Sequence, residues 1–339
     1  MRAIQLTATG QVDLVQAPEP VPGPHDVVIR TGATTICTSD IQDIRDNAFE
    51  APLPVILGHE GAGTVVAVGP AVTTVRVGDR VAAHPVHPCH ACETCRSGMA
   101  HLCPNMLHFG LTIPGTFAES FAAREDRVRR LPDAVSFAVG ALAEPVCVCL
   151  EAIAQARLAP GQRLLVLGDG AFGIMIARLA ARSMERAPVI AGRHPERLAR
   201  AYPATPVLTA AGEDADARLR AASDGAGFDA VILAVANRSA VNEALALLRP
   251  GGRLVIFAPL PGDTPVDLFT VLVRELEIVG SVNDRDRFDE AIALLSDETL
   301  HFDDLVTHTF PLDAYREALA VAEHDRAHAV KVAFTFPQA

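Results

Sequence analysis

Four cysteines, Cys89, Cys92, Cys95 and Cys103, crowd into one stretch, CHACETCRSGMAHLC, with the spacing C-x2-C-x2-C-x7-C. Two-residue gaps let successive thiolates turn toward one point. The longer gap lets the fourth close a tetrahedron with bonds of about 2.3 Å to Zn2+. Four thiolates leave no open coordination position, so such an ion holds structure and does no chemistry. The competing use of C-x2-C-x2-C is an iron–sulfur cluster. Pro104 favours it, but no proline follows Cys95 and there is no second cysteine group, so structural zinc is the reading preferred.

Three other segments offer ligands of mixed type: ICTSD (36–40), GHEGAG (58–63) and AEPVCVC (143–149). Cys37 brings a thiolate, His59 an imidazole, Glu60 and Glu144 carboxylates. A catalytic zinc takes about three protein ligands and keeps one position for water or substrate. Cys37, His59 and either glutamate meet that requirement. Cys147 and Cys149 read as helix or core residues outside any metal site.

A third motif, GDGAFG, runs from Gly168 to Gly173 and fits G-x-G-x-x-G. It follows the apolar run RLLVL and opens a helical segment, the setting in which the pattern binds a dinucleotide. Gly168 permits the tight turn, Gly170 lets backbone approach the pyrophosphate, and Gly173 lets helix pack on strand. Ala171 and Phe172 begin the helix, whose N-terminus faces the phosphates. An NAD-selective site carries an acid about 20 residues on, at the end of the second strand. Here VIAGRHPERL places Gly192 at that point, followed by Arg193, His194 and Arg197. A small residue leaves room for a 2′-phosphate and arginine can grip it, so NADP(H) is expected over NAD(H).

The elements that must position these residues fall into two styles. Up to about residue 130, short Val/Ile/Thr-rich runs such as HDVVIRTGA (25–33), GAGTVVAVG (61–69) and DRVAAHPV (79–86) are cut by Gly and Pro. They predict an antiparallel or barrel-like β unit. From Gln162 onward, buried-strand runs alternate with helical spacing: 163–168, 188–192, 229–236, 252–258 and 276–281 read as strands, 171–183 as a helix. Alternation of this kind predicts a parallel, doubly wound sheet. FDEAIALL and FPLDAYREALAVAEH are helical, and AVKVAFTF closes the chain as a strand.

Composition limits the partners. The 339 residues suit two domains, and half of them are hydrophobic, enough for two cores. A net charge of -12 repels phosphate backbones and anionic lipid, which argues against nucleic acid and membrane partners. No run reaches about 18 uninterrupted apolar residues and the N-terminus lacks a signal pattern. Clustered cysteines fit a reducing compartment, and a cytoplasmic protein is expected.

GHEGAGTVVAVG, then VGDRV, then the four-cysteine loop resemble the zinc-containing alcohol dehydrogenase signature of the medium-chain dehydrogenase/reductase superfamily. GTFAES (115–120), RRLPD (129–133) and ALAEPV extend the likeness over nearly the whole chain. The Glu after His59 and the Glu144-Pro145 pair resemble the sorbitol, threonine and butanediol dehydrogenase branch. The resemblance implies a GroES-like catalytic domain from 1–150 and 285–339 around a Rossmann domain at 151–284. It implies Cys37, His59 and Glu60 as zinc ligands, Glu144 as an additional or exchanging ligand, Ser39 as the proton relay and Asp40 as a residue backing the ligands. Two zinc ions per chain, a polyol, cyclitol, amino alcohol or diol as substrate, and a homodimer or homotetramer follow from the same likeness. Where many relatives carry a further histidine for the outer proton route, this chain has Ile41-Gln42-Asp43. The rival readings are a zinc-free reductase of C=C or C=N bonds and a non-enzymatic dinucleotide sensor.

Overall fold

Residues 1–209, 215–260 and 262–337 are described by the computed structural model. The chain divides into two units, Met1–Cys147 with Arg285–Ala339, and Val148–Asp284.

The first unit is organised by the strand Asp26–Ile36, a β-branched and apolar run buried along most of its length. One edge pairs antiparallel with Glu60–Val68. The other edge is shared, by Ser120–Arg124 near its start and by Lys331–Thr335 near its end. The sheet continues through Arg80–Ala83 to Val128–Arg130 on one side and to Val306–Phe310 on the other. Two register shifts interrupt the pairing with Glu60–Val68, and bulges of this kind bend and twist a strand. A central strand with divided neighbours gives the barrel-like β unit that the sequence predicts. Val306–Phe310 departs from it by pairing parallel with Lys331–Thr335. Edge-to-face rings fill the interior: Phe109 on Phe121 at 5.7 Å and Phe117 on Phe334 at 5.1 Å.

This register does the positioning. Thr35 lies opposite Glu60, and Ile36 lies opposite Val332. Cys37, one step past the end of its strand, is thereby brought beside the start of two others. Gly58 prepares the approach of His59. Its φ is +90°, which favours glycine, and a Cβ there would meet the Phe117 ring at 2.2 Å.

The second unit holds a six-stranded sheet in the order Thr205–Leu208, Val189–Gly192, Leu164–Leu167, Phe228–Leu233, Leu248–Ile256, Glu277–Gly280. Every pairing in it is parallel. Counted along the chain the order is 3-2-1-4-5-6, that of a doubly wound dinucleotide fold. Leu165, Val231, Leu233 and Leu254 of the sheet pack with Val241 and Leu245 of the helix Ser239–Leu247. The strand expected from Gly252 begins at Leu248, and Thr205–Leu208 has too short an apolar run to be read beforehand. The helical run Phe137–Ala156 has the length and composition to cross a membrane, but 67% of that window is buried, as in a core helix. Cys147 and Cys149 lie buried in it.

Candidate active site

Among the described residues, ligand atoms of Cys37, His59 and Glu60 lie within 4.8 Å of one another. Cys37 precedes the helix Thr38–Asp46, and its N–H donates to Asp40 Oδ2 at 2.8 Å. The other oxygen of Asp40 is 3.2 Å from His59 Nδ1. A carboxylate on one ring nitrogen fixes the tautomer and leaves Nε2 as the nitrogen for a metal. Ser39 Oγ stands 3.5 Å from that Nε2. Burial works against a charge on His59, but Asp40 and then Cys37 outweigh it and hold the imidazole well above its ordinary range.

Glu60 is fully buried and already engaged. Lys331 Nζ reaches both of its oxygens at 2.5 Å, and Thr35 Oγ1 donates to one of them. Burial alone would discharge Lys331, but the charge of Glu60 keeps its ammonium raised. Sequence reasoning missed this partner. One signal was available: Lys331 is the single lysine of the chain, the other 28 of 29 basic residues being arginine, and it stands inside an apolar strand. Glu144, at the start of the helix Ala143–Ala156, is buried but does not belong to the group within 4.8 Å. Burial pushes its carboxyl up to about 7, and Glu60 adds to the shift. His108 was also missed. Its ring lies 5.7 Å from that of His59, its Nδ1 is 2.6 Å from the Phe109 carbonyl oxygen, and burial lowers it to about 3.

The donor types fit zinc: a thiolate, an imidazole and a carboxylate. Cys37 and His59 bring their ligand atoms within 4.8 Å of each other. The carboxylate must come from Glu60, in competition with Lys331, or from Glu144.

The four-cysteine loop is a tighter cluster. Its Sγ–Sγ distances are 3.5 Å for Cys92–Cys95 and Cys89–Cys103, 3.8 Å for Cys92–Cys103 and 4.0 Å for Cys89–Cys95. A regular tetrahedron of Zn–S bonds has edges of about 3.8 Å. A disulfide needs about 2.05 Å, so these thiols are not paired. Backbone N–H groups of Cys89 and Cys95 donate to the sulfurs of Cys103 and Cys92. Hydrogen bonds that its sulfur accepts from the Ala91 and Cys92 backbone pull the Cys89 thiol down to about 6, toward the thiolate a metal needs.

At the nucleotide loop, Gly168 has φ +125°, and a Cβ there would lie 2.7 Å from Ala234 O. A Cβ on Gly173 would lie 1.9 Å from Gly168 O, whereas one on Gly170 would meet open space. Two glycines therefore serve packing, and the third borders open space. The helix Ala171–Ala181 follows, with Phe172 edge-to-face on Phe257 at 5.3 Å. Gly192 ends the second strand, but the room expected beside it is filled. A Cβ there would fall 2.3 Å from the Cβ of Asp169. Arg193 is exposed and His194 Nδ1 lies 3.0 Å from Asp169 Oδ2. Arg197 lies in the short helix Pro195–Leu198.

Residues 23–133 match the alcohol dehydrogenase GroES-like domain and residues 171–297 match the zinc-binding dehydrogenase domain. A sorbitol dehydrogenase of Bacillus subtilis (strain 168) is 30% identical over 340 residues, covering 98% of this chain and 96% of that protein. A short chain alcohol dehydrogenase from Escherichia coli CFT073, solved with NADH, superposes at TM-score 0.91 with 26% identity over 99% of both chains. A zinc-binding dehydrogenase of Sinorhizobium meliloti 1021, solved with NADP, gives 0.90 with 25% identity over 99% of both chains. With its β unit, its parallel nucleotide sheet and these relatives taken together, the chain belongs to the zinc-containing alcohol dehydrogenases of the medium-chain dehydrogenase/reductase superfamily, NAD(P)-linked oxidoreductases.

Proposed function

We propose that this chain oxidises a secondary alcohol of a polyol, cyclitol, amino alcohol or diol to a ketone, or catalyses the reverse reduction, with one catalytic and one structural zinc per chain. The observation that carries the reading is the convergence of Cys37, His59 and Glu60 within 4.8 Å. A zinc-free reductase of C=C or C=N bonds has no use for such a set. The polyol class rests on the sorbitol dehydrogenase relative and on the paired glutamates.

When bound, zinc would supply a Lewis acid that lowers the pKa of a ligated hydroxyl, and the nicotinamide would supply the hydride acceptor. The protein's residues do the rest. Cys37 and His59 hold the metal site, and Asp40 steadies both through the Cys37 amide and His59 Nδ1. Ser39, half-buried beside His59 Nε2, would relay the substrate hydroxyl proton, its Oγ accepting that proton while its own hydroxyl proton passes on to water. Lys331 offsets the buried charge of Glu60, and that same charge works with burial to raise the Glu144 carboxyl. Gly168, Gly170 and Gly173 seat the pyrophosphate against the helix opened by Ala171 and Phe172. The NADP(H) preference expected from Gly192, Arg193, His194 and Arg197 loses its physical reason, because Asp169 occupies the space at Gly192.

A homodimer is the assembly we favour. The helix Leu268–Val273 shows Leu268, Phe269 and Leu272 each at least 70% exposed, next to the edge strand Glu277–Gly280 with its exposed Ile278. An apolar sheet edge of this kind asks for a covering partner. The clustered thiols of Cys89, Cys92, Cys95 and Cys103, too far apart for disulfides, suit a cytoplasmic location. A screen of polyols, diols and amino alcohols for reduction of NAD+ and NADP+ tests the activity. Turnover that persists in Cys37→Ala would overturn the zinc-dependent mechanism.

A further inference from the structure

We infer that Asp169, from the glycine loop, supplies the ribose-facing carboxylate that the second strand lacks, and that it selects NAD(H) over NADP(H). The inference rests on the dinucleotide reading above. In a doubly wound fold the acid that bonds the ribose 2′-hydroxyl stands at the tip of the second strand. Here that strand, Val189–Gly192, ends in glycine. Asp169 Oδ2 accepts from the backbone N–H of Arg193 and of His194, both at 2.7 Å. Those two amides follow Gly192 directly, so the carboxylate sits at the tip of the strand. Its Cβ, Cγ and Oδ2 lie 2.3, 2.4 and 2.5 Å from where a Gly192 Cβ would be. The glycine at 192 thus makes room for Asp169, not for a 2′-phosphate.

The carboxylate is also fixed in place. Oδ2 carries the two amide bonds and the contact with His194 Nδ1 at 3.0 Å. Among the described residues no donor reaches Oδ1, which leaves an acceptor for a ribose hydroxyl. Asp169 is 8% exposed, whereas Arg193 is exposed. A charge held in a partly desolvated place acts more strongly than one on a mobile side chain in water. Repulsion of a 2′-phosphate by Asp169 therefore outweighs attraction by Arg193. This reverses the preference read from Gly192 and Arg193 alone.

Direct titration with NADH and NADPH, followed by calorimetry, tests the inference without reference to turnover. The wild type is expected to bind NADH about 10-fold or more tighter than NADPH. Asp169→Asn keeps the shape and removes the charge, and it should narrow that ratio by about 10-fold, mainly through tighter NADPH binding. Asp169→Glu should keep the NADH preference. Arg193→Ala should move the ratio less than Asp169→Asn does. Wild-type protein that binds NADPH as tightly as NADH overturns the assignment of Asp169 while leaving the dinucleotide site intact. So does an Asp169→Asn variant that weakens both nucleotides equally with a lowered thermal midpoint, the signature of a merely structural aspartate. Binding of neither nucleotide by the wild type overturns the dinucleotide reading itself, and this inference with it.

Discussion

The two proposed zinc centres differ in how the chain builds them. The four-cysteine loop draws like donors from fifteen consecutive residues, 89–103, and closes on itself with four Sγ–Sγ distances of 3.5–4.0 Å. The cluster of Cys37, His59 and Glu60 draws unlike donors from two strand ends and depends on sheet register. It also contains a competitor, Lys331, brought in by a third strand. A site that only holds structure can saturate its ion. A site that does chemistry must keep a position open, and here one carboxylate is held on a cation instead of being committed. On the proposed reading turnover belongs to one centre and stability to the other, and that division can be broken experimentally.

The largest effect on turnover is expected from Cys37→Ser. Losing a ligand to the Lewis acid should lower kcat/KM by about 1000-fold or more while far-UV circular dichroism stays unchanged. Next comes Asp40→Asn, which unfastens His59 without removing a ligand. Residues in this position typically cost about 10–100-fold in metal affinity or activity, readable by competition with a zinc chelator. Lys331→Met leaves Glu60 as an uncompensated buried charge. Breaking such a pair costs about 3–5 kcal/mol, so the thermal midpoint should fall by about 10 °C, and Lys331→Arg should recover part of it. The smallest effect on turnover is expected from Cys95→Ser. It should remove one zinc and lower the midpoint by about 5 °C or more, yet leave kcat of the folded fraction within about twofold. A collapse of kcat in Cys95→Ser with zinc retained at the other centre would erase the distinction.

The same contrast explains how far the sequence could be read. The cysteine loop is legible because ligand spacing along 89–103 is itself the geometry. The alternation of apolar runs after Gln162 announces the parallel sheet because each buried strand is a local pattern. Cys37 and His59 stand out by residue type and by the GHEGAG context. Lys331 does not, since its contact with Glu60 exists only once Lys331–Thr335 pairs with Asp26–Ile36 and that strand pairs with Glu60–Val68. A lone charge in AVKVAFTF otherwise reads as a solvent-facing strand position. Asp169 was hidden for a similar reason. It occupies a variable place in G-x-G-x-x-G, and its reach to Gly192 runs between parallel neighbours separated by the intervening helix.

The central claim is that Cys37, His59 and a carboxylate form a zinc centre separate from the four-cysteine loop. Zinc content per chain, measured by mass spectrometry of the metal in wild type and in Cys37→Ala, tests it most directly. The account predicts two zinc ions in the wild type and one in the variant, which keeps its fold. One zinc in a fully active wild type, or two in the variant, would contradict it.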